Sequence, residues 1–195
     1  MKKTTVYVVT HGDTSKGVPD PLMTEKGVQQ VRELRPKLDE FLPEGPTEIH
    51  VGTGCRQLQV LKELRFADQP FYVSDIWGGS ATLYKITEAG KEILLADGTV
   101  ILEKYYLSSQ FFASVIIFVI CALPDRALIL SGRPTLDRLS KALGWNMPVS
   151  EMKSGALYAL RITTATDDDI DAMLAAENVH IDLELLVDGV VLEKG

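Results

Sequence analysis

The chain has 195 residues, with 20 Lys and Arg against 27 Asp and Glu, a formal net charge of −7. Hydrophobic residues make up 46% and charged residues 24%, an ordinary globular balance that excludes a disordered chain. The acidic pI of about 5.0 argues against a nucleic-acid surface, which needs a basic stripe. Two cysteines, Cys55 and Cys121, are too few for a disulfide framework, and neither sits in a Cys/His cluster of the kind zinc needs.

The first predicted element is a strand over Thr4–Thr10, a β-branched run that reads as buried on both faces in a parallel sheet. The opening residues lack the long apolar stretch and cleavage site of a signal peptide, because His11-Gly12-Asp13 ends the run. Thr24 is placed to cap a helix carrying Val28, Val31, Leu34, Leu38 and Phe41 at steps of three and four. Pro36 falls inside it and is expected to kink or split it.

Glu48–Val51 reads as a second strand, Gly52-Thr53-Gly54 as a turn, and Cys55–Leu64 as a helix with Leu58, Leu61 and Leu64 on one side. Phe71–Val73 is a third short strand. Leu94–Lys104 and Leu185–Lys194 each hold Asp-Gly between apolar runs, a hairpin signal. These hairpins can pair with each other or with a second copy, giving a homodimer. Phe111–Leu123 is thirteen residues without a charge. A membrane span needs roughly twenty, so a buried helix is expected and no membrane partner. Ala127–Leu130 is a fourth strand, Ser131–Pro134 a loop, and Thr135–Leu143 a helix closed by Gly144. Leu157–Thr163 is a fifth strand.

Strands alternating with helices predict one α/β domain over 1–195, a three-layer sandwich with a mainly parallel central sheet and β-hairpin additions. The chemistry of such sheets collects in loops at the carboxyl ends of the strands. Those loops are Thr10–Thr14, Gly52–Arg56 and Ser131–Pro134. Of the three histidines, His11 follows a buried strand directly and precedes Gly12, so its imidazole stands at the sheet rim, where a ring nitrogen can act as a nucleophile. The alternative for the same residue is a loop histidine without a role.

Val9-Thr10-His11-Gly12-Asp13-Thr14, followed by Pro21-Leu22-Met23-Thr24-Glu25-Lys26-Gly27, resembles the opening of the histidine phosphatase superfamily. This phosphoglycerate mutase-like family opens with Arg-His-Gly-Glu-Thr and then Pro-Leu-Thr-x-x-Gly. The order of elements from Thr5 to Arg161 resembles it too. The resemblance implies phosphoryl transfer to His11, with arginines and a second histidine holding the phosphoryl oxygens and an acid protonating the leaving oxygen. It implies no metal and no cofactor. Gly12 and Thr10 would line the phosphate site.

The departures are as informative. The arginine before the nucleophile is Thr10 here, which brings a hydroxyl but no charge. The later Ser-His-Gly is Ser131-Gly132-Arg133, so the second histidine falls on Gly132. Arg56 stands for the second-motif arginine, with Gln57 competing for the register. Asp75 is the nearest candidate for the acid. Arg133 can replace a lost cation, its guanidinium offering a fork of donors; its plain alternative is a solvent-facing charge at a helix entry.

The remaining clusters read as structural. Asp167-Asp168-Asp169-Ile170-Asp171 lacks calcium-loop spacing and suits a helix start instead. Gly52-Thr53-Gly54 is too short for a phosphate cradle. Cys55 sits near a helix start, a place that can lower a thiol pKa and make it reactive. The whole implies a cytoplasmic, divergent histidine phosphatase-like protein that has lost most or all of the reaction but binds a small phosphorylated or anionic ligand around His11. The rival is an active phosphomonoesterase working through a phosphorylated His11. Substrate choice would lie in the variable insert 75–109, and residues 179–195 would form the C-terminal hairpin.

Overall fold

A computed structural model describes residues 2–17, 20–78, 84–86, 92–95, 100–102, 109–143, 152–164 and 179–188. In chain order, β1 (Lys2–Thr10), α1 (Glu25–Phe41), β2 (Ile49–Val51), α2 (Cys55–Glu63) and β3 (Tyr72–Val73) come first. Then follow β4 (Tyr84–Ile86), β5 (Glu92–Leu95), β6 (Val100–Leu102), α3 (Ser109–Ala122), β7 (Leu128–Ser131), α4 (Arg133–Leu143), β8 (Leu157–Thr164) and β9 (Val179–Val187). A six-stranded sheet runs β3-β2-β7-β1-β8-β9. β3, β2, β7 and β1 are mutually parallel, and β8 and β9 add antiparallel strands at one side.

The β-branched run of β1 lies in the middle of the sheet, which is why it is apolar on both faces. Val6 and Val8 enter one core, with Ile116 and Ile120 of α3, Leu136 and Leu139 of α4, and Tyr158 of β8. Val9 enters the opposite core, with Val31, Leu34 and Leu38 of α1 and Val60 and Leu61 of α2. Helices thus cover both sheet faces, giving the three layers expected from the sequence. Truncating one such buried leucine to alanine costs about 2–5 kcal/mol.

Three local expectations change. Pro36 does not split α1, which runs unbroken from Glu25 to Phe41. The proline sits on the exposed face, where water can satisfy the carbonyl it leaves unpaired. Leu58 is 39% exposed, and α2 buries Gln57, Val60 and Leu61 instead. The helix after β7 begins at Arg133 rather than Thr135, with Pro134 accommodated in its first turn, where no intrahelical N–H is needed.

The first hairpin signal is met by β5 and β6, which pair antiparallel with Leu94 opposite Val100, and β4 extends them into a separate three-stranded sheet. At the second, β9 pairs with β8, and 189–195 lie outside the described residues, as do Gly144 and the 167–171 acids. No helix among the described residues is long and apolar enough to cross a membrane.

Candidate active site

Strand register builds the site. β1 and β7 are parallel with Thr10 opposite Ser131, so the next residues, His11 and Gly132, emerge side by side. The His11 N–H donates to the Ser131 carbonyl at 3.0 Å. β2 flanks β7 on its other side, and the Gly52 N–H donates to the Leu130 carbonyl at 3.0 Å. The loops after β1, β2 and β7 therefore converge at one end of the sheet, as the sequence predicts.

The histidine loop is bolted to the first turn of α1. Thr24 caps that helix, its hydroxyl accepting from the Gly27 N–H at 3.1 Å, while its own N–H donates to the Asp13 carbonyl at 2.8 Å. Gly12 and Gly27 meet backbone to backbone. A Cβ at Gly12 would lie inside van der Waals contact of the Gly27 carbonyl, and one at Gly27 inside that of Asp13. Glycine is thus required at both positions by close approach. Gln30 Oε1 accepts from the Asp13 N–H at 3.0 Å and Met23 Sδ from the Gly12 N–H at 3.2 Å.

The His11 side chain is only 9% exposed. Its Nδ1 lies 2.9 Å from the Gly12 carbonyl, and a carbonyl can only accept, so Nδ1 carries the proton and Nε2 keeps a lone pair. The pKa is lowered from 6.5 to about 4. Burial is the largest cause, and the positive charges of Arg56 and Arg133 act in the same direction. His11 is therefore neutral at pH 7, the state a nucleophile needs. Its Nε2 lies against Gly132: a Cβ added there would be 2.9 Å from Nε2 and 3.0 Å from Cδ2. A side chain at position 132 would therefore crowd the edge of the His11 ring.

Thr10 is fully buried. Its hydroxyl donates to the Lys153 carbonyl at 2.8 Å and accepts from the Ala156 N–H at 3.1 Å. Both capacities are used in fastening the loop before β8, so this hydroxyl is not presented to a ligand. The Gly12 N–H is likewise turned to Met23.

Arg56 stands in the first turn of α2 and is 13% exposed. Its Nη1 lies 3.6 Å from Asp20 Oδ1, and its Nε is buried with no hydrogen-bond partner among the described residues. Gln57, the competing register, is fully buried. Its Nε2 donates weakly to the Gly78 carbonyl at 3.4 Å, and its Oε1 has no partner among the described residues. Arg133 is exposed at the start of α4. Asp75 opens a short 3-10 turn, Asp75–Trp77, after β3. That turn abuts the site: Ser131 Oγ donates to the Trp77 carbonyl at 2.6 Å, and a Cβ at Gly52 would meet the same oxygen at 2.8 Å. The side chain of Asp75 lies outside the described atoms.

Asp20 has no signal of its own in the sequence. The N-cap of α2 is Gly54, which has no side chain to satisfy the helix N–H groups. Asp20 supplies that acceptor from the preceding loop, taking the Cys55 N–H on Oδ1 at 3.1 Å and on Oδ2 at 3.0 Å. The same carboxylate corrects the expectation for Cys55. Hydrogen bonding to Asp20, and then its charge, raises the thiol pKa instead of lowering it. Among the described residues, no group of three or more His, Cys, Asp or Glu side chains could hold a metal ion.

Neither protein-family models nor curated protein sequences match the chain. Solved structures do. Mycobacterial glucosyl-3-phosphoglycerate phosphatase superposes with a TM-score of 0.58 at 14% identity, covering 97% of this chain and 100% of the other. YhfR of Bacillus stearothermophilus gives 0.55 at 19% identity, covering 96% and 98%. The protein histidine phosphatase SixA, complexed with tungstate, gives 0.52 at 12% identity, covering 92% and 94%. These proteins are histidine phosphatase superfamily members, and the chain has their phosphoglycerate mutase-like fold.

Proposed function

We propose that the chain is a divergent histidine phosphatase-like protein, impaired or inactive as a catalyst, which binds a small phosphorylated or anionic ligand at His11, Arg56 and Arg133. The observation that carries this reading is the closeness of His11 Nε2 to position 132, where an added Cβ would come within 2.9 Å, so a second histidine side chain does not fit without a shift. In-line attack on a phosphoryl group needs that nitrogen surrounded by preorganised cations. Here the second histidine is gone, and the position of the first arginine is a hydroxyl tied into backbone. Losing one preorganised donor costs on the order of a hundredfold or more in rate. The partner chemistry is supported by two arginines beside a neutral imidazole and by the unpaired Arg56 Nε, a donor able to take an anionic oxygen. On this reading the compartment is the cytoplasm, which suits the two free thiols.

A second reading is favoured by the His11 tautomer. With Nδ1–H donated to Gly12 and Nε2 unprotonated, His11 has the protonation state of a phosphoryl acceptor. In that reading the chain is a metal-independent phosphomonoesterase. Arg56 and Arg133 neutralise the phosphoryl oxygens and Asp75 protonates the leaving group.

The deciding experiment is turnover of para-nitrophenyl phosphate between pH 5 and 8 without metal, with His11→Ala in parallel. The first reading expects no turnover above the variant. Turnover that disappears with His11 would establish the second. A homodimer through the hairpins is proposed alongside, and a 21.5 kDa monomer on gel filtration would exclude it.

A further inference from the structure

The anion pocket already contains an anion of the protein's own. Asp20 places both carboxylate oxygens at about hydrogen-bond distance from the Cys55 N–H, 3.1 and 3.0 Å, and one of them 3.6 Å from Arg56 Nη1. Arg56 is one of the two cations that act on His11. Counting formal charges, Arg56 and Arg133 supply two positives and Asp20 removes one; Asp13, which also acts on His11, is balanced by Lys26 at 3.3 Å. The Asp20 carboxylate itself is 47% exposed. Its hold on Arg56 is longer than a hydrogen bond, and Arg56 keeps a buried donor, Nε, that Asp20 does not reach.

We propose that Asp20 sets the charge of the ligand this pocket accepts, holding Arg56 as an internal anion that a doubly charged phosphate group must displace. This rests on the anion-binding reading of the same pocket and deepens it by charge class. With Asp20 seated, the pocket has one uncompensated cation and suits a singly charged anion. With Asp20 displaced, it has two and suits a phosphate dianion. Asp20 differs from a plain helix cap in this respect. A cap needs only an acceptor, which asparagine supplies equally well, whereas competition with a ligand needs the negative charge.

The test uses the full chain and inorganic phosphate at pH 8, where phosphate is a dianion, titrated by calorimetry into the parent, Asp20→Asn and Asp20→Asn/Arg56→Ala. Asp20→Ser, a different uncharged cap, repeats the measurement. The rate of iodoacetamide reaction at exposed Cys55 gives an independent readout of whether Asp20 sits at the start of α2, and Cys121 is buried with its pKa raised to about 11. Asp20→Asn is expected to tighten phosphate binding about tenfold, or about 1.4 kcal/mol. It should also quicken Cys55 alkylation, and adding Arg56→Ala should abolish the gain in affinity. Unchanged affinity with faster alkylation would overturn the competition and leave the anion pocket standing. An unchanged alkylation rate would overturn the seating of Asp20. Faster alkylation with no phosphate binding in any variant would remove the anion pocket itself, and the proposal with it.

Discussion

The two sides of the candidate site are built differently. On the histidine side, His11, Gly12, Thr10 and Gly132 are buried and fixed by backbone contacts between β1, β7, α1 and the loop before β8. On the cation side, Arg133 is exposed, and among the described residues Arg56 is paired with a half-exposed carboxylate at 3.6 Å. The histidine side is part of the fold, and a change there is a change in stability. The cation side is attached to the fold, and a change there alters charge at little structural cost. This is why the imidazole can stay in place while the charges around it change.

The largest effect expected from this contrast is at Gly12. Gly12→Ala puts a methyl group into the Gly27 backbone, and overpacking there should remove roughly 3 kcal/mol or more from the unfolding free energy in urea. A near-neutral result would mean the two loops can part. Next, Thr10→Val leaves the Lys153 carbonyl and the Ala156 N–H without their partner, at about 1–3 kcal/mol. If that variant kept its stability but lost phosphate binding, Thr10 would belong to the ligand side after all.

The pH dependence sharpens the same boundary. Burial holds the folded His11 pKa at about 4 against 6.5 in the unfolded chain. Between those values the unfolded state binds more protons. Stability is therefore fully present above about pH 6.5 and falls as pH drops toward 4, by up to about 1.4 kcal/mol per pH unit from this group. His11→Asn should flatten that part of the urea-derived stability profile, and NMR titration of the imidazole should find it neutral at pH 6. Gly132→His, which adds a second imidazole beside the first, is expected to push the His11 ring aside and to give no turnover of para-nitrophenyl phosphate. Recovered turnover would show that the missing histidine alone was limiting. The smallest effect is at Lys26, whose 3.3 Å ion pair with Asp13 is exposed on both sides. Lys26→Ala should change stability by less than about 1 kcal/mol, because backbone and not charge holds this loop.

Much of this was legible in the chain. Local patterns report burial directly, so the β-branched run of β1, the apolar spacing of α1 and the apolar runs of β5 and β6 marked the elements where they are found. The three loops of the site followed, because parallel strands bring their carboxyl ends together. The misreadings arose where a residue answers to a distant neighbour. Leu58 has helical spacing with Leu61, yet the sheet lies under Val60 and Leu61. Cys55 stands where a helix dipole should acidify a thiol, yet Asp20, 35 positions earlier, reverses the sign.

The sequence by itself determined the α/β order, the β1 strand and its histidine, and the absence of an arginine at position 10 and of a histidine at 132. These are properties of residue type and short-range periodicity. Only the tertiary structure decided that Thr10 spends its hydroxyl on β8's loop, that Gly132 is the floor under His11, and that Asp20 reaches Arg56. Each of those depends on strand register and loop approach, which bring together atoms far apart in the chain and set their charge and hydrogen bonding by distance.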